Sequence, residues 1–168
     1  VGIIGSGNVG SAIHRGLAKA GIESRVSNEQ NVNEVASGAE IIVLAVPFGA
    51  IDEVIKSMGT AAQGKIIVDA TNALTPEMKL ALGYSTSGAE ELQKKLPKSK
   101  IVKAFNTIFA QHMDSGKRNS QTLTAFAASD DEVSRNKVLE LLRAIGFDAV
   151  NAGPLANSRH LEALGYFN

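Results

Sequence analysis

The residues best placed to do chemistry in this chain are three glycines. Gly5, Gly7 and Gly10 follow directly on a short apolar run, Val1 to Ile4, in the stretch VGIIGSGNVGSAI. Behind them Val9, Ile13 and Leu17 recur four apart, so the hydrophobic period changes from that of a strand to that of a helix. In a strand-turn-helix unit the first glycine permits the tight turn. The second lets a pyrophosphate approach bare backbone, and the third brings helix against strand. The helix N-terminus then turns free N–H groups and a positive dipole end toward the anion. Glycines serving only a turn would not need these flanks, and a dinucleotide is the ligand they favour.

Further polar groups fall at the ends of later apolar runs. After the second run the chain reads SRVSNEQ. A carboxylate there holds ribose hydroxyls, whereas basic and hydroxyl groups accept a 2′-phosphate. Glu29 argues for NAD, or is simply a solvated turn carboxylate. Arg25, Ser27 and Asn28 together could cradle the phosphate of NADP, which is the preferred expectation. In VLAVPFGAI, Ala45 and Val46 close a strand beside the crevice where open α/β sheets bind ligands, and Pro47 ends that strand without needing a donor. VDATNAL and KAFNTI each run from an apolar strand into polar groups: Asp69, Thr71 and Asn72 in one, Lys103, Asn106 and Thr107 in the other. Amides and hydroxyls so placed can orient a carboxamide and a flat ring without supplying charge, or can simply form turns. His14, His112 and His160 have no metal-ligand spacing, and no serine sits in a nucleophile elbow. No catalytic side chain and no metal site are expected, with His112 first among the histidines because it lies in a loop after FNT. In AGPLANSRHLEAL, Asn157 or Ser158 can cap a helix, and Arg159 and Glu162, three apart, can pair on it.

The elements that position these groups alternate. Mostly apolar runs at Val1–Ile4, Ile22–Val26, Ile41–Val46, Lys65–Asp69, Lys100–Phe105, Thr122–Ala127 and Phe147–Val150 read as strands buried on both faces. Between them Asn31 with Glu34, Ser87 with Glu90, and Ser129 with Glu132 have capping-box spacing, and Thr75 with Pro76 fits a cap and first helical position. The fold expected is α/β, a doubly wound, mostly parallel sheet in three layers, Rossmann-like. Residues 1–153 form the dinucleotide-binding domain, and residues 154–168 a C-terminal helical segment. From Gly21 to Glu40 there is room for one strand and about two helical turns. A third strand is therefore vestigial, or residues are missing there.

At 168 residues the chain suits one domain with a real core. Lys plus Arg and Asp plus Glu each total 17, so no net field points to nucleic acid or an anionic membrane. The absence of cysteine removes disulfides and thiolate chemistry together. The longest apolar run, Ile41 to Phe48, is far short of a membrane span, and with no secretory signal visible the cytoplasm is the expected compartment. The chain begins without Met and stops at LEALGYFN, which reads as mid-helix, so trimmed termini are expected.

Taken together, GIIGSGNVGSAI, LAVPFGAI, VDATNAL, KAFNT and AGPLANSRHLEAL resemble the coenzyme F420-dependent NADP reductase family. They are similar also to the cytosolic domains of six-transmembrane ferric and cupric reductases, and more distantly to the nucleotide domain of pyrroline-5-carboxylate reductase. The resemblance implies NADP binding at Ser6, Gly7, Asn8 and Val9, with Ser27 and Asn28 at the ribose phosphate. Val46, Pro47 and Ala70 would lie along the nicotinamide, and Asn72, Asn106 and Thr107 would face a second ring. Asn28 stands where the family usually has arginine, and the chain ends sooner than family members do. The implied activity is that of an NADP(H)-dependent oxidoreductase passing a hydride between nicotinamide and a small-molecule acceptor, coenzyme F420 or a flavin; a homodimer is compatible with it. The alternatives are a non-catalytic NADP-binding, redox-sensing module and an imine reductase.

Overall fold

A computed structural model describes residues 1–167; Asn168, the last residue of the expected C-terminal segment, lies outside the described residues. The main sheet has seven strands: β1 (Gly2–Ile4), β2 (Arg25–Ser27), β3 (Ile41–Leu44), β4 (Ile66–Asp69), β5 (Lys100–Ala104), β8 (Thr124–Ala128) and β9 (Asp148–Asn151). Between β5 and β8 lies a small separate hairpin, β6 (Lys117–Arg118) and β7 (Gln121–Thr122). The order across the main sheet is β2-β1-β3-β4-β5-β8-β9, and every neighbouring pair is parallel except β5 with β8.

Helices cover both faces, which is why the strands are apolar throughout instead of alternating. On one face Ala12, Ile13 and Leu17 of α1 (Asn8–Lys19) and Val138, Leu139 and Leu142 of α5 (Glu132–Ile145) pack on Ile3, Val43, Val68 and Val102. On the other, Val35 of α2 (Val32–Ser37), Met58 of α3 (Ile51–Met58) and Leu92 of α4 (Gly88–Lys95) pack on Ile4, Ile42, Ile67 and Ile101. A last helix, α6 (Ser158–Tyr166), packs on α4.

The tight interval after β2 is resolved by topology. Among the described residues no strand lies beyond β2; the six-residue α2 carries the chain straight back to β3, on the other side of β1. The chain therefore leaves β1 toward one edge and returns toward the other, which opens a crevice at the carboxyl ends of β1 and β3.

Several local expectations need correction. The second strand is Arg25–Ser27 rather than Ile22–Val26, because the Ile22 amide still bonds back to the Leu17 carbonyl at the end of α1. Ser129 does not cap α5: it is buried, its hydroxyl donates to the Ile101 carbonyl, and Asp131 caps instead by accepting from the Ser134 amide at 2.9 Å. Thr75 and Pro76 start no helix. Residues 75–80 make a turn closed by the Thr75 amide on the Lys79 carbonyl, and Met78 at φ +60° would break a helix there. Ser87 does cap α4, the Glu90 amide donating to the serine oxygen at 3.2 Å, while the Glu90 carboxylate accepts from the serine hydroxyl at 2.7 Å.

The glycine turn is held by backbone contact. Gly5 sits at φ +115°, and a Cβ on Gly10 would stand 1.9 Å from the Gly5 carbonyl oxygen. Neither atom can move without lifting α1 off the sheet. Gly10→Ala is therefore expected to destabilise the chain by about 3 kcal/mol or more, beyond an ordinary overpacking mutation. Chemical denaturation of the variant beside wild type checks this; an unchanged midpoint would refute the close approach.

Candidate functional site

Two lobes open at the carboxyl ends of the strands and share Gly7, Ala45, Val46 and Pro47. The larger, about 760 Å³, extends over Asn8, Val9, Ala70, Thr71 and Asn72 to an apolar far wall that includes Phe48, Leu74 and Met78. The smaller, about 500 Å³, reaches over Gly5 and Ser6 to Ser27, Asn28 and Glu29. Gly7 lies at their junction as the N-cap of α1. Its backbone is at φ −71°, no side chain caps the helix, and a Cβ there would meet nothing within 4 Å. The first-turn amides of α1 lack intrahelical partners and face this opening. Small residues at 45–47 keep the passage between the lobes clear.

In the smaller lobe Ser27 is 2% exposed and its hydroxyl has no hydrogen-bond partner. A buried, unpaired hydroxyl on a cavity wall can still donate or accept a hydrogen bond with whatever enters the lobe. Asn28 shapes the adjoining loop, its side-chain Oδ1 accepting from the Gln30 and Asn31 amides at 2.9 and 3.2 Å. Glu29 and Glu53 also line this lobe, and no lysine or arginine does. Arg25 is the correction here. It pairs with Gly2 at the amino end of β2, while Ser27 pairs with Ile4 at the carboxyl end, and its guanidinium bonds to Glu34 at 2.8 Å. Side chains alternate along a strand, so a residue two positions back shares the face but not the end.

The larger lobe has no titratable side chain among its lining residues. Its polar wall is fixed from behind. Asn72 lines it, and its side-chain nitrogen donates to the Asn106 carbonyl at 3.0 Å. Asn106 is the second correction: it is buried, lines neither lobe, and its amide nitrogen donates to the Asn72 side-chain oxygen and to the Leu161 carbonyl, both at 2.8 Å. Thr107, partly buried, likewise lines neither lobe. Phe105 makes this turn at φ +68°, an uncommon conformation for a bulky residue, with its ring edge-on to Phe147 at 6.2 Å.

Beneath lies a buried ion cluster that sequence reading missed. The Lys103 ammonium, wholly buried, donates to Asp69 at 2.9 Å and the Thr71 carbonyl at 2.5 Å, and pairs with Glu162 at 2.8 Å. Three donors thus meet three acceptors. Burial alone would push the lysine pKa down, but Asp69 and Glu162 together hold it above the usual lysine range. Removing one partner from such a set costs about 3–5 kcal/mol. Glu162 therefore does not pair with Arg159, as its spacing suggested. It also accepts from the Gly88 and Ala89 amides at the start of α4. Arg159 reaches instead across to Glu90, with two bonds of 2.9 and 2.6 Å. An acidic residue in a helical stretch gives no local sign that it faces a lysine 59 positions earlier.

Of the histidines, His14 bonds to Ser24 at 2.8 Å, His112 lies beside Gln111 away from both lobes, and His160 is exposed. Among the described residues no group of three or more His, Cys, Asp or Glu could hold a metal, and no helix is long and apolar enough to cross a membrane.

The Arg159 hydrogen bonds hold the Glu90 carboxyl below its usual range. A carboxyl whose folded pKa is depressed adds stability above its unfolded value, about 4.3, and loses it as pH falls through the folded value. Denaturation midpoints of wild type and Arg159→Leu should accordingly differ at pH 7 and converge toward pH 3; a gap independent of pH would refute the ion pair.

Comparison with known proteins finds similar chains. The family model described as "NADP oxidoreductase coenzyme F420-dependent" matches residues 23–73. Metalloreductase STEAP3 of Rattus norvegicus is 31% identical over 181 residues, covering 98% of this chain, which spans only 36% of that protein's length. The F420-dependent NADP reductase of Methanocaldococcus jannaschii is 27% identical over 157 residues, 88% of this chain and 68% of its own. A solved structure from Arthrobacter sp. FB24, given as a candidate F420-dependent NADP-reductase, superposes with a TM-score of 0.90 at 24% identity, covering 97% of this chain and 88% of that one; it bears on the fold. This chain is thus similar in sequence to the coenzyme F420-dependent NADP oxidoreductases and to the STEAP metalloreductases, and its fold is Rossmann-like α/β.

Proposed function

We propose that this chain binds NADP(H) across the two lobes and passes a hydride between the nicotinamide and a flat acceptor, a deazaflavin or flavin. The observation that carries the reading is Gly7. Its bare backbone, at an uncapped helix N-terminus and open on the Cβ side, stands where the two lobes meet. A diphosphate is the ligand group that needs such a place. The first-turn amides of α1 would hold it, and the lobes would then receive the two halves of the coenzyme. Ser27 would offer its unpaired hydroxyl to the ribose phosphate, with Asn28 beside it. Ala45, Val46, Pro47 and Ala70 would lie along the other half, and Asn72, its amide already oriented, would meet a carboxamide.

When bound, the nicotinamide supplies the hydride. The protein's part is then to hold two rings face to face and keep water out, a task of positioning rather than proton transfer. The lining of the larger lobe, mostly apolar and without titratable side chains, suits that task. Imine reduction also consumes a proton, and this wall offers no side chain to deliver one. A second reading, NAD(H) as coenzyme, rests on Glu29 and on the lack of a basic residue around Ser27.

Fluorescence titration of NADPH and NADH onto wild type, Gly7→Ala, Ser27→Ala and Arg25→Ala tests the assignment. Gly7→Ala is expected to fold as wild type yet bind about tenfold more weakly, the equivalent of roughly 1.4 kcal/mol. Ser27→Ala should lose affinity for NADPH more than for NADH, and Arg25→Ala should change neither. Stopped-flow mixing of the NADPH complex with deazaflavin and flavin acceptors should show reduction above the uncatalysed rate. Tight binding without any turnover would instead favour a redox-sensing module, and no binding of either coenzyme would remove the reading altogether.

A further inference from the structure

We infer that α6 is a positioning element for the polar wall of the larger lobe, acting through Glu162 and Gly165 on residues 69–72. The inference rests on the dinucleotide reading of the lobes. Three ties run from this one helix to that one wall.

The first is ionic. Glu162 bonds the Lys103 ammonium, which in turn holds the Thr71 carbonyl, while Asp69 accepts from the Thr71 amide at 2.9 Å. Thr71 is thus gripped at both its carbonyl and its N–H. The second runs through amides: the Leu161 carbonyl takes one hydrogen of Asn106, whose other bond goes to Asn72. The third is contact. A Cβ on Gly165 would stand 2.6 Å from the Asn72 side-chain oxygen and 2.8 Å from the Asn106 carbonyl, so α6 lies directly against the amide pair.

A helix needed only for packing would be anchored by apolar side chains. Here two of the buried polar ties of α6 lead to Thr71 through Lys103 and to Asn72 through Asn106, and both of those residues line the lobe. The helix is itself fixed from the far side, by Glu162 on the α4 amides and Arg159 on Glu90. A shift of α6 therefore moves the wall.

Gly165→Ala tests positioning through the contrast between two ligands. The added methyl must displace Asn72 and also press on the Asn106 backbone carbonyl, so the denaturation midpoint should fall despite the helix preference of alanine. NADPH affinity is expected to fall about tenfold, near the net worth of one hydrogen bond, while affinity for 2′,5′-ADP, which reaches only the Ser27 lobe, stays at the wild-type value. Glu162→Gln should show the same split between the two ligands even though it lowers the denaturation midpoint. NADPH affinity unchanged in both variants, or equal losses for NADPH and 2′,5′-ADP, would overturn the inference. Wild type failing to bind NADPH would instead overturn the dinucleotide reading, and the inference with it.

Discussion

The carbonyl of Gly5 and the α-carbon of Gly10 are closer than any side chain would allow, and the site depends on that approach. It lays α1 against the end of β1, so that the helix begins at the sheet edge with its first amides pointing outward. With a Cβ at Gly10, helix and strand would part and the amides would turn away; one at Gly5 would instead strike the Ala45 carbonyl oxygen, at 2.3 Å. The approach of Gly10 to Gly5 is set by sterics within six residues.

That locality explains what was legible in the sequence. Strand-to-helix periodicity, glycine spacing and cap spacing are short-range signals, and they located the turn, the carboxyl ends of β3 and β4 to within two residues, and the helix cap at Ser87. Ser27 was visible as a hydroxyl directly after the run expected as the second strand, Ile22–Val26. Arg25 was misjudged for a simple reason: composition near a strand end does not say which end, and two residues carry a side chain roughly 6–7 Å along the strand.

The unreadable part is the set of contacts between distant segments. Lys103 and Asn106 look like groups at the end of a strand, available to a ligand. In the structure both are consumed internally, one by Asp69, Thr71 and Glu162, the other by Asn72 and Leu161. A charge at helical spacing from its neighbour suggests a surface pair, and only the tertiary packing of α6 on α4 shows that Arg159 and Glu162 each serve a different partner. Burial of this kind follows from topology, which brings residues from β4, β5 and α6 to one point.

The brief return from β2 to β3 has a consequence for how such a protein can change. Because α2 leads directly back and no strand lies outside β2 among the described residues, the loop at 28–31 is tied mainly to itself, through the Asn28 and Asn31 side chains. Substitutions in that rim touch neither hydrophobic layer. If the dinucleotide lies as proposed, preference for one coenzyme over another can therefore drift during evolution with little toll on folding, whereas the opposite end of the crevice, bolted to a buried charge, cannot.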